Sequence, residues 1–169
     1  SEIMLQQTQV SRVVERFGDF LHRFPTASAL AAADEQQVLA QWQGLGYYSR
    51  ARALHRAAKT LTDAGRNSLP SQVDELLALP GVGPYTARAV ASIAFGRDEA
   101  VVDGNVVRVL SRVFALSGDP TRAPLRDHFW LLATELLVRG RARSAAPPAG
   151  RFTSRAAIEM DDVAQRGCR

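Results

Sequence analysis

Asp74-Glu75-Leu76-Leu77-Ala78-Leu79-Pro80-Gly81-Val82-Gly83-Pro84-Tyr85-Thr86-Ala87 reads as an apolar helix, a tight turn and the start of a second helix. Two glycines let the backbone turn sharply and approach a ligand closely, and Pro84 suits the first position of a helix. The amide groups at that helix start, reinforced by the helix dipole, form a site suited to a phosphate. A plain Pro-Gly turn between helices is the simpler alternative. A dinucleotide fingerprint, Gly81-Val82-Gly83 with Thr86 and then Asp103, requires a strand before the first glycine. Here the preceding residues have helical spacing, so that reading fails, and Gly44-Leu45-Gly46 fails on the same ground.

Outward from this hairpin the first 138 residues read as helix after helix. Apolar residues recur at helical spacing in Val10, Val13, Val14, Phe17 and Leu21, and again in Leu54, Ala57, Ala58 and Leu61. Breaks fall at Phe24-Pro25, Gly44-Leu45-Gly46, Gly65, Leu69-Pro70, Gly96, Gly118-Asp119-Pro120 and Pro124. Helix caps are expected at Thr26 or Ser28, at Ser68 or Ser71, and at Asp103 before a helix over 105–115. Ala100-Val101-Val102 has strand-like composition but no alternating partner. A mostly α domain of seven or eight helices with short connections is expected. From Arg139 the character changes: Arg139–Arg155 has no acidic residue and contains Ala145-Ala146-Pro147-Pro148-Ala149-Gly150, which reads as a solvated linker.

With 169 residues, the chain can bury one sizeable core. Its formal charge of +4 and pI of about 10 invite a nucleic-acid reading. The distribution does not support that shortcut. Residues 1–138 hold fourteen basic and fourteen acidic side chains, whereas residues 139–169 hold seven Arg against three acids. Cys168 is the one cysteine, which excludes a disulfide scaffold and a four-thiolate metal site built from this chain alone. It also fits a reducing, cytoplasmic setting. No apolar run is long enough to span a membrane. The chain opens at Ser1 without an initiator Met or a signal-like segment, so a fragment or processed chain is expected.

Two carboxylates stand out by position. Glu2 opens an expected helix through Ile3–Val10, and Asp103 sits at a helix start in Val101-Val102-Asp103-Gly104-Asn105. Singly, Glu2 reads as a first-turn acid and Asp103 as an N-cap. Together they are the residue types that glycosidic-bond cleavage requires, one acid for the leaving group and one carboxylate for the sugar cation. Sequence spacing does not show that they meet. Arg50, Arg52 and Arg56 fit either a solvated face or phosphate contacts. Tyr48, Trp42 and Trp130 read as core, while His22, His55 and His128 lack metal-ligand spacing.

Four stretches occur in order: Ser1-Glu2-Ile3-Met4-Leu5-Gln6-Gln7-Thr8-Gln9-Val10, Gly44-Leu45-Gly46-Tyr47-Tyr48-Ser49-Arg50-Ala51-Arg52, Leu79-Pro80-Gly81-Val82-Gly83-Pro84-Tyr85-Thr86 and Val102-Asp103-Gly104-Asn105-Val106 followed by Arg108-Val109. Together they resemble the adenine DNA glycosylase (MutY type) of the helix-hairpin-helix base-excision superfamily, over residues 1–138. The resemblance implies a helix-hairpin-helix glycosylase fold with a six-helix barrel subdomain and an incomplete second subdomain. It implies a base-flipping, monofunctional enzyme that removes adenine mispaired with 8-oxoguanine or guanine.

By motif match Glu2 resembles the acid that protonates adenine, and Asp103 the carboxylate that stabilises the sugar cation and helps the incoming water. Tyr85 and Asn105 resemble their supporting pair. Gln7, with Thr8 beside it, and Tyr47 match the residues that wedge into the base stack. Leu79, Gly81, Val82 and Gly83 with Thr86 match a phosphate-gripping hairpin whose carbonyls hold a monovalent cation. Related enzymes that nick the strand use a Lys just after the hairpin. That position is Tyr85 here, and Lys59 is the one lysine, far back in the chain.

The family also carries a helical segment before the first motif, a [4Fe-4S] module and a lesion-reading C-terminal domain. The corresponding part of this chain, 139–169, is a divergent Arg/Pro-rich tail in which Cys168 is the single cluster-type thiolate. The implied partner is double-stranded DNA with an adenine mismatch, met by a monomer in a bacterial-type cytoplasm at the nucleoid, with no membrane. Two readings from other classes compete: a non-catalytic helix-hairpin-helix DNA-binding module, and a related glycosylase for another mispaired base.

Overall fold

The computed structural model describes residues 1–145, all of it helix and connection with no strand among them. The helices are α1 (Glu2–Leu5), α2 (Val10–Arg23), α3 (Ala27–Ala32), α4 (Glu35–Gln41), α5 (Tyr48–Asp63), α6 (Val73–Leu77), α7 (Pro84–Phe95), α8 (Gly104–Val113) and α9 (Leu125–Ala145). Ala100-Val101-Val102 is extended chain, not a strand. The mostly α expectation holds, but there are nine helices among the described residues, not seven or eight, because the expected helix over Ile3–Val10 breaks and two short ones flank Asp34.

The chain forms two compact units, Ser1–Glu99 and Ala100–Arg169. The division falls inside the span 1–138 that reads as one core in sequence. Helix α9 runs without interruption through Arg139 to Ala145, so the start of the expected linker is helical. The remainder of the Arg/Pro-rich tail, with Cys168, lies outside the described residues.

In the first unit α5 is the shared central element. One set of its small side chains, Ala51 and Ala58, joins a core of Met4, Val13, Phe20, Phe24, Leu30, Val38, Trp42 and Leu45. Another set, Ala57 and Leu61, joins Leu76, Leu79, Ala87 and Ala91 under the hairpin. Alanines on both faces let helices approach α5 from two sides without loss of helix propensity. Phe20 anchors the first core, edge-on to Phe24 at 5.1 Å and to Trp42 at 5.9 Å. Burying such aromatic and aliphatic groups supplies most of the stabilisation, on the order of 1.5–3 kcal/mol for each large side chain.

Several local signals act as expected. The Thr26 hydroxyl accepts the Ala29 amide at 3.0 Å to start α3, and Pro84 is the first residue of α7 after Gly83. Asp34 and Gln37 close a capping box on α4. Others do not. Helix α6 starts after Gln72 with no side-chain cap: Ser71 stands one residue before the cap position, and its hydroxyl accepts from Arg97 at 2.8 Å. The helix expected over Ile3–Val10 stops at Leu5, and a new one begins at Val10. That expected over 105–115 ends at Val113, with Ala115 left-handed at φ +52°. Trp42 is fully buried as expected, whereas Trp130 is only partly buried and Tyr48 is 41% exposed, so Tyr48 is not core.

Candidate active site and nucleic-acid interface

The hairpin is built by the end of α6, the turn at 78–83 and the start of α7. Leu79 is buried in the second core, Val82 packs partly against it, and Gly81 and Gly83 face outward. The Val82 amide donates to the Leu79 carbonyl at 3.1 Å and closes the turn. Gly81 has φ +78°, and a Cβ added there would lie 2.4 Å from the Cβ of Ala53 on α5. Both conditions require glycine, since the left-handed backbone strains other residues and the gap to α5 has no room for a methyl group. The first-turn amides of α7, which an α-helix leaves without intrahelical acceptors, open beside this turn.

Thr86 is buried and its hydroxyl accepts from the Gln6 side-chain amide at 2.9 Å. The hairpin helix is thereby tied to the end of α1. Tyr85, just after the hairpin, is half-buried on α7 and engaged with neighbours. Lys59 is exposed on α5.

Glu2 is the first residue of α1 and half-buried; its carboxylate interacts with the adjacent Ser1 ammonium and makes no hydrogen bond among the described residues. It lies on the lining of a cavity of about 480 Å³ formed with Phe17, Phe20, Leu54 and Leu61. A carboxyl so placed can take up and deliver a proton without first breaking an internal bond. α1 is one turn long and could not persist alone. Met4 packs it into the first core, and Arg50 closes its end.

The loop between α1 and α2 carries Gln7, exposed and left-handed at φ +53°. The loop before α5 carries Tyr47, 62% exposed and left-handed at φ +47°. The two residues matched to a wedge are thus two of three non-glycine residues with positive φ among those described. The Thr8 hydroxyl, beside Gln7, accepts from Arg50 and bridges to the Gln6 and Leu45 carbonyls.

Arg50 is half-buried, with its terminal guanidinium nitrogens on internal acceptors. It turns inward, and burial lowers the pKa of its guanidinium below the usual range. Arg52 pairs with Glu35 at 3.0 Å on the surface, while Arg56 is exposed. His55 is buried with its Nε2 unpartnered, and His22 and His128 are exposed.

In the second unit Asp103 caps α8. Its Oδ1 accepts the Val106 amide at 2.8 Å, and its Oδ2 accepts from the Asn105 side chain at 3.2 Å. Arg108 in turn donates to the side-chain Oδ1 of Asn105 at 3.2 Å. Both carboxylate oxygens are therefore held, and the group is fixed in orientation. The resemblance implies the pairing of Asn105 with the carboxylates but not its extension to Arg108. Its signal in sequence is the i, i+2, i+5 spacing of Asp103, Asn105 and Arg108 around a helix start.

A cluster on four thiolates does not fit this chain's own residues. Cys168 is its one cysteine and lies outside the described residues. Among the described residues no three His, Cys, Asp or Glu side chains converge on a metal-sized site.

Comparison with known proteins places this arrangement. Residues 1–135 match the HhH-GPD superfamily base excision DNA repair protein family. The chain is 46% identical over 138 residues to the adenine DNA glycosylase of Rattus norvegicus, covering 81% of this chain and 27% of the relative. It is 45% identical to that of Homo sapiens over 81% of this chain and 25% of the relative. It is 50% identical over 112 residues to that of Mycolicibacterium smegmatis, covering 66% and 38%. The chain thus spans about a quarter of the length of the first two of these relatives. In structure it is similar to a thermostable thymine-DNA glycosylase, with a TM-score of 0.74 and 26% identity over 95% of this chain and 78% of the other. It is also similar to endonuclease III in a trapped covalent complex with DNA, with a TM-score of 0.66 and 25% identity over 82% and 61%. The chain belongs to the HhH-GPD superfamily of base excision DNA repair proteins.

Proposed function

We propose that residues 1–138 are the catalytic core of an adenine DNA glycosylase that hydrolyses the N-glycosidic bond of adenine mispaired with 8-oxoguanine or guanine. The observation that carries this reading is the pair of carboxylates with opposite constraints: Glu2 at a cavity with no hydrogen bond among the described residues, Asp103 held on both oxygens. That division of labour suits a reaction needing one mobile proton and one fixed negative charge.

In this mechanism the hairpin amides and the start of α7 hold a backbone phosphate. Gln7 and Tyr47 enter the base stack, and adenine leaves it. The Glu2 carboxyl gives its proton to the base, the bond from the sugar's anomeric carbon to adenine breaks, and adenine departs with the bonding electrons. The Asp103 carboxylate stabilises the positive charge on the sugar. A water oxygen then bonds to the anomeric carbon while its proton passes to a carboxylate, leaving an abasic site. No amine is needed, in keeping with Tyr85 standing where strand-nicking relatives carry lysine.

Incubation of the chain with duplexes holding adenine opposite 8-oxoguanine, guanine or thymine tests the reading. Breaks are expected only after alkali, and only for the first two duplexes. Binding of duplex without release of adenine would identify a DNA-binding module instead. Release of a different mispaired base would move the chain to another substrate class.

A further inference from the structure

The guanidinium of Arg50 has an unusual set of partners. One terminal nitrogen donates to the carbonyls of Ile3 at 3.0 Å, Met4 at 3.1 Å and Gln6. The other donates to the Thr8 hydroxyl at 2.9 Å and to the carbonyls of Leu45 at 3.0 Å and Gly46 at 3.2 Å. Its centre lies 5.6 Å from the Trp42 ring and 5.5 Å from the Tyr47 ring. Nothing in α5 itself accounts for this. A cation in the first turn of a helix is opposed by the helix dipole, and its burial carries a desolvation cost. The compensation lies outside α5, in carbonyls that α1 leaves unsatisfied at its end and in those of the loop before α5.

We propose that Arg50 is a positioning residue. It fastens the left-handed loop residues Gln7 and Tyr47 into one wedge and fixes the end of the helix that carries Glu2. The inference rests on the glycosylase reading above and adds the means by which the wedge is held ready. The acceptors of one nitrogen flank Gln7 from one side, and those of the other complete the bracket at Thr8 and reach the residues just before Tyr47. A left-handed backbone at a non-glycine residue persists only where its surroundings over-determine it. The planar fork of arginine spans both loops at once, whereas a lysine ammonium offers one nitrogen and cannot bridge them.

The test compares the full chain with its Arg50→Lys variant. Amide hydrogen exchange is expected to accelerate at least about tenfold in both segments, 4–8 and 45–48, and to stay unchanged in α7. Adenine release is expected to fall about tenfold further from a paired adenine than from one facing an abasic site, where no partner base holds it in the stack. A merely structural role would slow both substrates equally. Adding Arg50→Lys to a Gln7→Ala, Tyr47→Ala background is expected to cost, on paired adenine, no more than the loss it causes on adenine facing an abasic site. Should Arg50→Lys not fold by circular dichroism, Thr8→Val removes one acceptor, leaves the guanidinium in place and is expected to loosen the same two segments together. Exchange that is unchanged or altered in one segment alone, or equal loss on both substrates, overturns the proposal. If the wild-type chain releases no adenine from either substrate, the glycosylase reading falls, and the paired exchange response alone decides for or against the clamp.

Discussion

Glu2 and Asp103 are both acidic residues at helix starts, yet their surroundings treat them oppositely. Glu2 opens a single-turn helix and its carboxylate makes no hydrogen bond among the described residues, so α1 relies on Met4 packing and on Arg50. Asp103 is bound into the start of α8 by the Val106 amide and by Asn105, itself held by Arg108. Under the proposed function the difference separates two jobs that a sequence position alone would confuse. A proton donor benefits from a side chain that folding does not use, whereas an electrostatic stabiliser benefits from one that folding has fixed.

The contrast can be broken by substitution. Glu2→Gln removes the proton and no structural bond. It is expected to lower single-turnover adenine release by about 10²–10⁴-fold with no change in the thermal midpoint. A large loss of stability would show that Glu2 is structural after all. Asp103→Asn keeps an oxygen for the Val106 amide but loses the charge. A drop of about 10²–10³-fold in release with little change in stability is expected. Asp103→Ala should add a stability loss of about 1 kcal/mol from the lost cap, readable by urea denaturation.

Two further variants sharpen the comparison at lower amplitude. Gly81→Ala places a methyl group against Ala53 at a left-handed backbone position. A destabilisation of about 1–3 kcal/mol is expected, with weaker binding to any duplex regardless of the base presented. Loss of discrimination between adenine and other bases would instead assign the hairpin a part in base recognition. Asp34→Ala removes another aspartate N-cap, the one on α4. It should cost about 1 kcal/mol in stability and leave the rate of release untouched. A parallel loss of activity would mean that capping, not charge, explains Asp103.

How much of this was legible in the sequence depends on how locally each feature is encoded. The hairpin was legible because Pro80, Gly81, Gly83 and Pro84 each restrict or free the backbone where they stand. The caps at Thr26 and Asp103 were legible for the same reason. The end of α1 was not. Gln6-Gln7-Thr8-Gln9 contains neither glycine nor proline, and its left-handed residue is bracketed by an arginine 42 positions beyond Thr8. Arg50 itself carried no signal that its charge turns inward, since Arg52 and Arg56 nearby share its composition and face solvent. Ser71 misled because a hydroxyl at a helix start serves equally as an acceptor for a distant arginine, here Arg97. The i, i+2, i+5 bonding of Asp103, Asn105 and Arg108 was partly legible, as the pairing of Asn105 with a carboxylate, but not its extension to Arg108.

The close seating of Gly81 on Ala53 has a mechanical consequence. Ala53 and Arg50 are three residues apart on α5, on neighbouring positions of one helical face, about 4.5 Å along the axis. One touches the turn that opens at α7, and the other braces the loops of Gln7 and Tyr47. Helix α5 thus acts as a strut that sets the spacing between the hairpin turn and the loops of Gln7 and Tyr47, the phosphate hold and the point of entry into the base stack in the proposed mechanism. A one-residue insertion between them would turn the two attachments about 100° out of register while each remained locally intact.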